Sequence, residues 1–153
     1  MKNLIKISIT SLFLLFLGTT FQSCNSTKHV VQKIDDKELQ NKLGGTWYLT
    51  SIDGTLATES FKGKIPTLNF DFDKNRTNGY SGCNQYNGSF VLTGNVYNPS
   101  PMISTLMACP EYNQEPRFLE LMGKRSSLVF RNYTLQFVQD GKVALEFTQL
   151  TKN

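Results

Sequence analysis

Short runs of alternating, β-branched and aromatic residues, each cut off by a turn pair, constrain the fold of this chain more than any other feature. Leu68-Asn69-Phe70-Asp71-Phe72-Asp73 alternates strictly, which puts Leu68, Phe70 and Phe72 on one face of a strand. Thr46-Trp47-Tyr48-Leu49-Thr50-Ser51-Ile52 is rich in strand formers and stops at Asp53-Gly54. Ser89 to Leu92 and Asn95 to Tyr97 flank Thr93-Gly94, and Thr134 to Val138 and Val143 to Phe147 face each other across Asp140-Gly141, the clearest hairpin. One segment breaks the rhythm. Glu115 to Gly123 carries a proline suited to a first helical turn, Phe118, Leu121 and Met122 on one helical face, and a glycine to stop it. A short helical turn is also expected at Glu38 to Leu43, before Gly44-Gly45. One main helix among seven or eight short strands implies an α+β, mostly β domain: a curled antiparallel sheet or half-barrel with the helix packed on it.

The 153 residues allow one such domain, and the N-terminus does not belong to it. Lys2 and Lys6 form a positive n-region, and the apolar run from Ile7 to Leu17 is too short to cross a bilayer, which takes roughly 20 apolar residues. The run breaks at Gly18-Thr19-Thr20 and reaches Phe21-Gln22-Ser23-Cys24, where a polar chain begins. That layout is an export signal, and its end on a lone cysteine resembles the lipobox of bacterial lipoproteins. Ser23 fits the small residue wanted before the cysteine, whereas Phe21 and Gln22 depart from the usual pattern. The resemblance implies cleavage before Cys24 and acylation of its thiol and amino group, and two or three acyl chains anchor stably where one does not. The expected organisation is a signal peptide over 1–23, an acylated Cys24 and tether over 24–37, and the domain over 38–153. The expected location is the cell envelope, at the outer membrane and facing the periplasm.

Loss of the signal removes Lys2 and Lys6, so 16 basic residues become 14 against 12 acidic ones, a net charge of +2 in place of +4. The remaining basic residues are scattered among acids, with no stripe suited to a phosphate backbone, so nucleic acid is set aside. Cysteine usage agrees with export. With Cys24 acylated, Cys83 and Cys109 form an even pair whose joining is worth about 3.5 kcal/mol in the loop-entropy picture. No C-x-x-C spacing activates either thiol, which favours a structural disulfide over a redox pair.

The densest special chemistry lies between those cysteines. Gly79-Tyr80-Ser81-Gly82-Cys83-Asn84-Gln85-Tyr86-Asn87-Gly88 gathers three glycines and several amides around one cysteine, and Ser104-Thr105-Leu106-Met107-Ala108-Cys109-Pro110 surrounds the other. Together with Gly45-Thr46-Trp47-Tyr48-Leu49, and followed by a helix and a terminal hairpin, these segments resemble the META domain over about residues 43–149. That family includes the HslJ-type envelope proteins. The resemblance implies a barrel-like or half-barrel sheet with a helix against it, often behind a lipoprotein signal. It also carries an association with heat shock, antibiotic tolerance or secretion, and no established catalytic activity.

Trp47 reads as core. Asn84, Gln85, Tyr86 and Asn87 read either as a recognition surface or as a turn network that satisfies itself, and the sequence leaves both open. Catalysis finds little support: the lone histidine, His29, sits in the tether, and a transition-metal cluster lacks ligands. Asp71-x-Asp73-x-Asn75 begins like a calcium loop, but Arg76 replaces the needed glycine and Gly82 the bidentate glutamate, so a strand running into a turn explains it better. Asp71 and Glu120 are acid/base candidates only as any two carboxylates are. The leading expectation is therefore a non-enzymatic envelope lipoprotein, without cofactor, that binds a protein or envelope component, with a stress response as the setting the resemblance suggests. Two alternatives stand beside it: a carrier with an apolar cavity, suggested by eleven phenylalanines, and a hydrolase inhibitor whose Asn84–Asn87 loop enters the target's cleft.

Overall fold

The computed structural model describes residues 36–109 and 113–149; the signal, Cys24, His29, nearly all of the tether and Pro110 lie outside the described residues. Strand β1 (Thr46–Ile52) begins with regular alternation, turning Trp47 and Leu49 inward. A bulge between Leu49 and Ser51 then resets the phase, so that Ile52 rather than Ser51 is buried. Asp53 and Gly54, both at positive φ, turn the chain into the two-residue β2 (Thr55–Leu56) and the single helical turn α2 (Ala57–Ser60).

The meander continues through β3 (Thr67–Asp71), β4 (Arg76–Tyr80), β5 (Gln85–Thr93), β6 (Val96–Pro99) and the short β7 (Ile103–Ser104). After α3 (Glu115–Met122), it ends with β8 (Ser126–Arg131), β9 (Thr134–Gln139) and β10 (Lys142–Gln149). Asp140 and Gly141 join the last two strands with positive φ at both positions, the conformation a tight hairpin with strand twist requires.

The sheet closes on itself. Its order runs β1-β3-β4-β5-β6-β8-β9-β10, and β10 pairs with β1 from Trp47↔Gln149 to Ile52↔Leu145. The expected half-barrel is thus a closed antiparallel barrel of eight strands, with β2 and β7 as side pairings on β1 and β5. Closure removes the open edges a half-barrel would leave to water or to another chain. Among the described residues, α1 (Asp36–Leu43) lies where a short helical turn was expected before Gly44-Gly45, α3 is the main helix expected, and the single turn α2 is the addition.

Large rings fill the barrel. Trp47, Tyr86, Tyr97, Phe118, Phe137 and Phe147 are fully buried, and Tyr97–Phe137 and Tyr86–Phe118 meet edge to face at 5.3 and 5.5 Å. Helix α3 contributes Phe118, Leu121 and Met122, the three residues expected on its apolar face. Helix α1 contributes Leu39 and Leu43, and the Leu43 carbonyl accepts a hydrogen bond from Trp47 Nε1 at 2.9 Å. Of the eleven phenylalanines, Phe13, Phe16 and Phe21 precede the domain. The other eight are buried or packed against the core, so they build the interior where a carrier would need space.

Candidate functional site

The Asn84–Asn87 segment is not a projecting loop. It runs into β5, and strand alternation divides it: Asn84 and Tyr86 are buried, Gln85 is exposed and Asn87 half-buried. A recognition surface made of all four residues, or a loop that enters a cleft, is therefore corrected to two inward and two outward side chains.

Asn84, only 4 % exposed, is a hub. Its backbone N–H donates to Glu115 Oε1 at 2.8 Å, and its side-chain Nδ2 donates to Glu115 Oε2 at 2.9 Å. Its side-chain oxygen accepts from Thr105 Oγ1 and from the Met107 N–H, both at 2.8 Å. Ser81 completes the cluster, with its N–H on the Asn84 carbonyl at 2.8 Å and its hydroxyl against Glu115 Oε1. Each atom of one amide group is thereby used, and no described buried side-chain polar atom is left unpaired.

Glu115 is 7 % exposed and opens α3, where a carboxylate faces the positive end of the helix. The Asn113 side-chain oxygen caps the Glu115 N–H at 2.8 Å, while Asn113 Nδ2 donates to the Gly82 carbonyl at 3.0 Å. Gly82 has φ +105°, and a Cβ there would stand 2.4 Å from the Phe61 ring, so this position takes glycine on both counts.

The Cys83–Cys109 disulfide crosses the cluster with Cα atoms 5.6 Å apart. Cys109 Sγ lies 3.0 Å from Glu115 Oε2, a contact that a disulfide sulfur makes without donating a proton. Cys83, Cys109 and Glu115 bring their ligand atoms within 4.8 Å of one another. With the sulfurs bonded to each other there is no thiolate to coordinate, and the set does not fit a metal ion.

Above this buried support lies an exposed segment. Residues 103–109 all face solvent, with Ile103 64 %, Leu106 98 % and Met107 63 % exposed. The same segment is held at Thr105 and Met107 by Asn84, at Thr105 by the Gln85 carbonyl at 3.0 Å, and at Cys109 by the disulfide. Next to it, the outer face of β4 and β5 forms a groove of about 540 Å³ that includes Tyr80, Gln85, Asn87 and Thr105. Among the four residues singled out in sequence, Gln85 and Asn87 therefore reach a surface, and Asn84 and Tyr86 support it from within. Glu115 escaped the sequence reading, which saw only a helix start; the acidic residue directly before Pro116 is the one local signal.

Several of the other charged groups form surface pairs. Arg117 reaches Asp53 at 2.7 Å and Glu120 at 2.8 Å, and hydrogen bonds from Lys124, then from Arg117, pull the Glu120 carboxyl down to about 2. Such exposed pairs contribute little to stability. Asp71 is held low chiefly by the Lys74 backbone N–H, as the first residue of an ordinary turn, and Asn75 has positive φ there. Burial pushes Tyr86 well up and Tyr97 to about 12.

The META domain model matches residues 37–152, the span that contains the barrel, the disulfide and the Asn84–Glu115 hub. The chain belongs to the META domain family. Two solved structures share the fold. An NMR structure of a protein from Burkholderia xenovorans is 26 % identical with TM-score 0.56, covering 74 % of this chain and 87 % of that one. A second NMR structure is 20 % identical with TM-score 0.55, covering 69 % of this chain and 89 % of that one. No curated protein is similar to the chain at a significant level.

Proposed function

We propose that this META-domain chain is a non-enzymatic lipoprotein of the cell envelope, anchored through acylated Cys24. Its barrel binds an envelope component through residues 103–109 and the adjoining outer face of β4 and β5. One observation carries the binding role: an apolar, fully solvent-facing segment is fixed by a buried amide–carboxylate pair and a disulfide. An exposed segment with Ile103, Leu106 and Met107 gains nothing in folding from those side chains, and fixing its shape lowers the ordering cost of association. The buried polar residues favour support over catalysis. Ser81 is fully buried, and both its hydroxyl and the Glu115 carboxylate are engaged with each other and with Asn84. The apolar run before Cys24 supports the anchor, and no described helix is long and apolar enough to cross a membrane.

Photo-crosslinking in intact envelopes tests this reading. A benzophenone amino acid at Leu106 or Met107 is expected to give a discrete adduct, and one at Tyr133 or Val91, which are also exposed, is not. Adducts of equal yield from all four positions, or none from Leu106 and Met107, would refute it. The intact mass of protein from its own membranes tests the anchor: Cys24 as first residue plus acyl chains is expected, and an unacylated chain retaining residues 1–23 would refute it.

A further inference from the structure

We infer that the groove on the outer face of β4, β5 and β7 is a binding site for a neutral oligosaccharide. This deepens the proposal of an envelope-binding barrel and rests on it.

The residues come from register. Asn69, Asn78 and Asn87 stand directly opposite one another on β3, β4 and β5, and Tyr80 stands opposite Gln85 one step along the same face. Their neighbours Thr77, Tyr86 and Gly88 are buried, so alternation turns Asn78, Tyr80, Gln85 and Asn87 outward together. Gly79 lies between these outward residues and turns inward, where a Cβ would stand 2.1 Å from the Thr67 carbonyl oxygen, so only glycine keeps β3 and β4 this close beside the groove. Thr105 closes one wall, its hydroxyl accepting from the Gln85 N–H at 3.2 Å.

Asparagine and glutamine are poor strand residues, and an outer barrel face has no packing need for an aligned set of them. Asn69 is occupied, accepting from Thr46 Oγ1 at 2.7 Å. By contrast, the side-chain amides of Asn78, Gln85 and Asn87 have no hydrogen-bond partner among the described residues. A carboxamide offers a donor and an acceptor side by side, the pairing that adjacent sugar hydroxyls present in return. Tyr80 adds an aromatic surface for the apolar C–H face of a pyranose ring.

The lining is uncharged, which disfavours phosphates and acidic peptides. Lys64 stands outside it, its ammonium 5.7 Å from the Tyr80 ring centre. Amides, hydroxyls and one aromatic ring on a fixed face are the chemistry of glycan recognition.

The test uses full-length protein in a sugar-free zwitterionic detergent, with amide nitrogens labelled and chitotetraose, maltotetraose and cellotetraose as probes. At least one probe is expected to shift the side-chain amide signals of Asn78, Gln85 and Asn87. Gln85→Ala, Asn87→Ala and Tyr80→Ala should each weaken that binding by about fivefold or more, as loss of one good polar or ring contact does. Tyr133→Ala, on an exposed turn outside the groove, should leave it unchanged. No shift with any of the three probes, or a shift that persists in the groove variants, overturns the inference. Crosslinks from Leu106 without any oligosaccharide shift would remove the ligand class and keep the binding role; absence of the crosslinks would remove the binding role itself.

Discussion

At the scale of single residues, the polar interior of this barrel end depends on matching one amide to one carboxylate. Asn84 presents donors to Glu115 and an acceptor to Thr105 and Met107, so neither an acid nor an apolar residue can replace it. Asn84→Asp would set a second carboxylate against Glu115 and is expected to cost about 3 kcal/mol or more in chemical denaturation at neutral pH. Glu115→Ala leaves the buried Asn84 backbone N–H without its partner and Asn84 Nδ2 with only longer contacts to the Met107 carbonyl and Cys109 Sγ, and is expected to cost about 2–3 kcal/mol. The match was not legible in sequence. Asn84 and Glu115 are 31 residues apart, and only the tertiary fold brings them together. The Cys83–Cys109 pair was legible, because setting Cys24 apart leaves an even number of cysteines, and so was Trp47 as core.

Among the elements, legibility followed apolar content. The β9–β10 hairpin and α3 announced themselves through alternation, Asp140-Gly141, and an i, i+3, i+4 face. Strand β4 did not, since its inward residues are Thr77 and Gly79 rather than large hydrophobes. Both are small for a physical reason: Thr77 sits 3.3 Å from the Tyr97 hydroxyl, and Gly79 allows the Tyr86 ring and the Thr67 carbonyl to approach. Gly79→Ala is expected to force β3 and β4 apart and cost about 2–3 kcal/mol, read as a lower melting temperature and faster amide exchange in Asn69 to Asp71. The candidate groove was half legible. Gln85 and Asn87 were singled out, but Asn78 and Tyr80 join them only through the register between β4 and β5.

At the scale of the whole molecule, closure joins the first and last strands of the barrel, while the disulfide ties two segments from the middle of the chain. Pairing of β1 with β10 had no local sequence signal, because it joins strands separated by nearly the whole domain. Reduction of Cys83–Cys109 should destabilise the fold by up to about 3.5 kcal/mol without altering the barrel, measured by denaturation with and without reductant. The buried tyrosines set an alkaline limit. Tyr97 ionises near 12 in the fold against about 10 in the unfolded chain, so the native state holds its proton longer. Its stabilising contribution is complete below about pH 10 and is lost as pH rises toward 12, at up to about 3 kcal/mol, which an unfolding series across that window would follow. The proposed binding face depends on an exposed segment made rigid from beneath. Backbone ¹⁵N relaxation across residues 103–109 tests that directly. Order parameters near 0.85 in the native protein, falling at Thr105 to Met107 in Glu115→Ala, are the predicted result. Values below about 0.6 across the segment in the native protein, or no change in the variant, would contradict it.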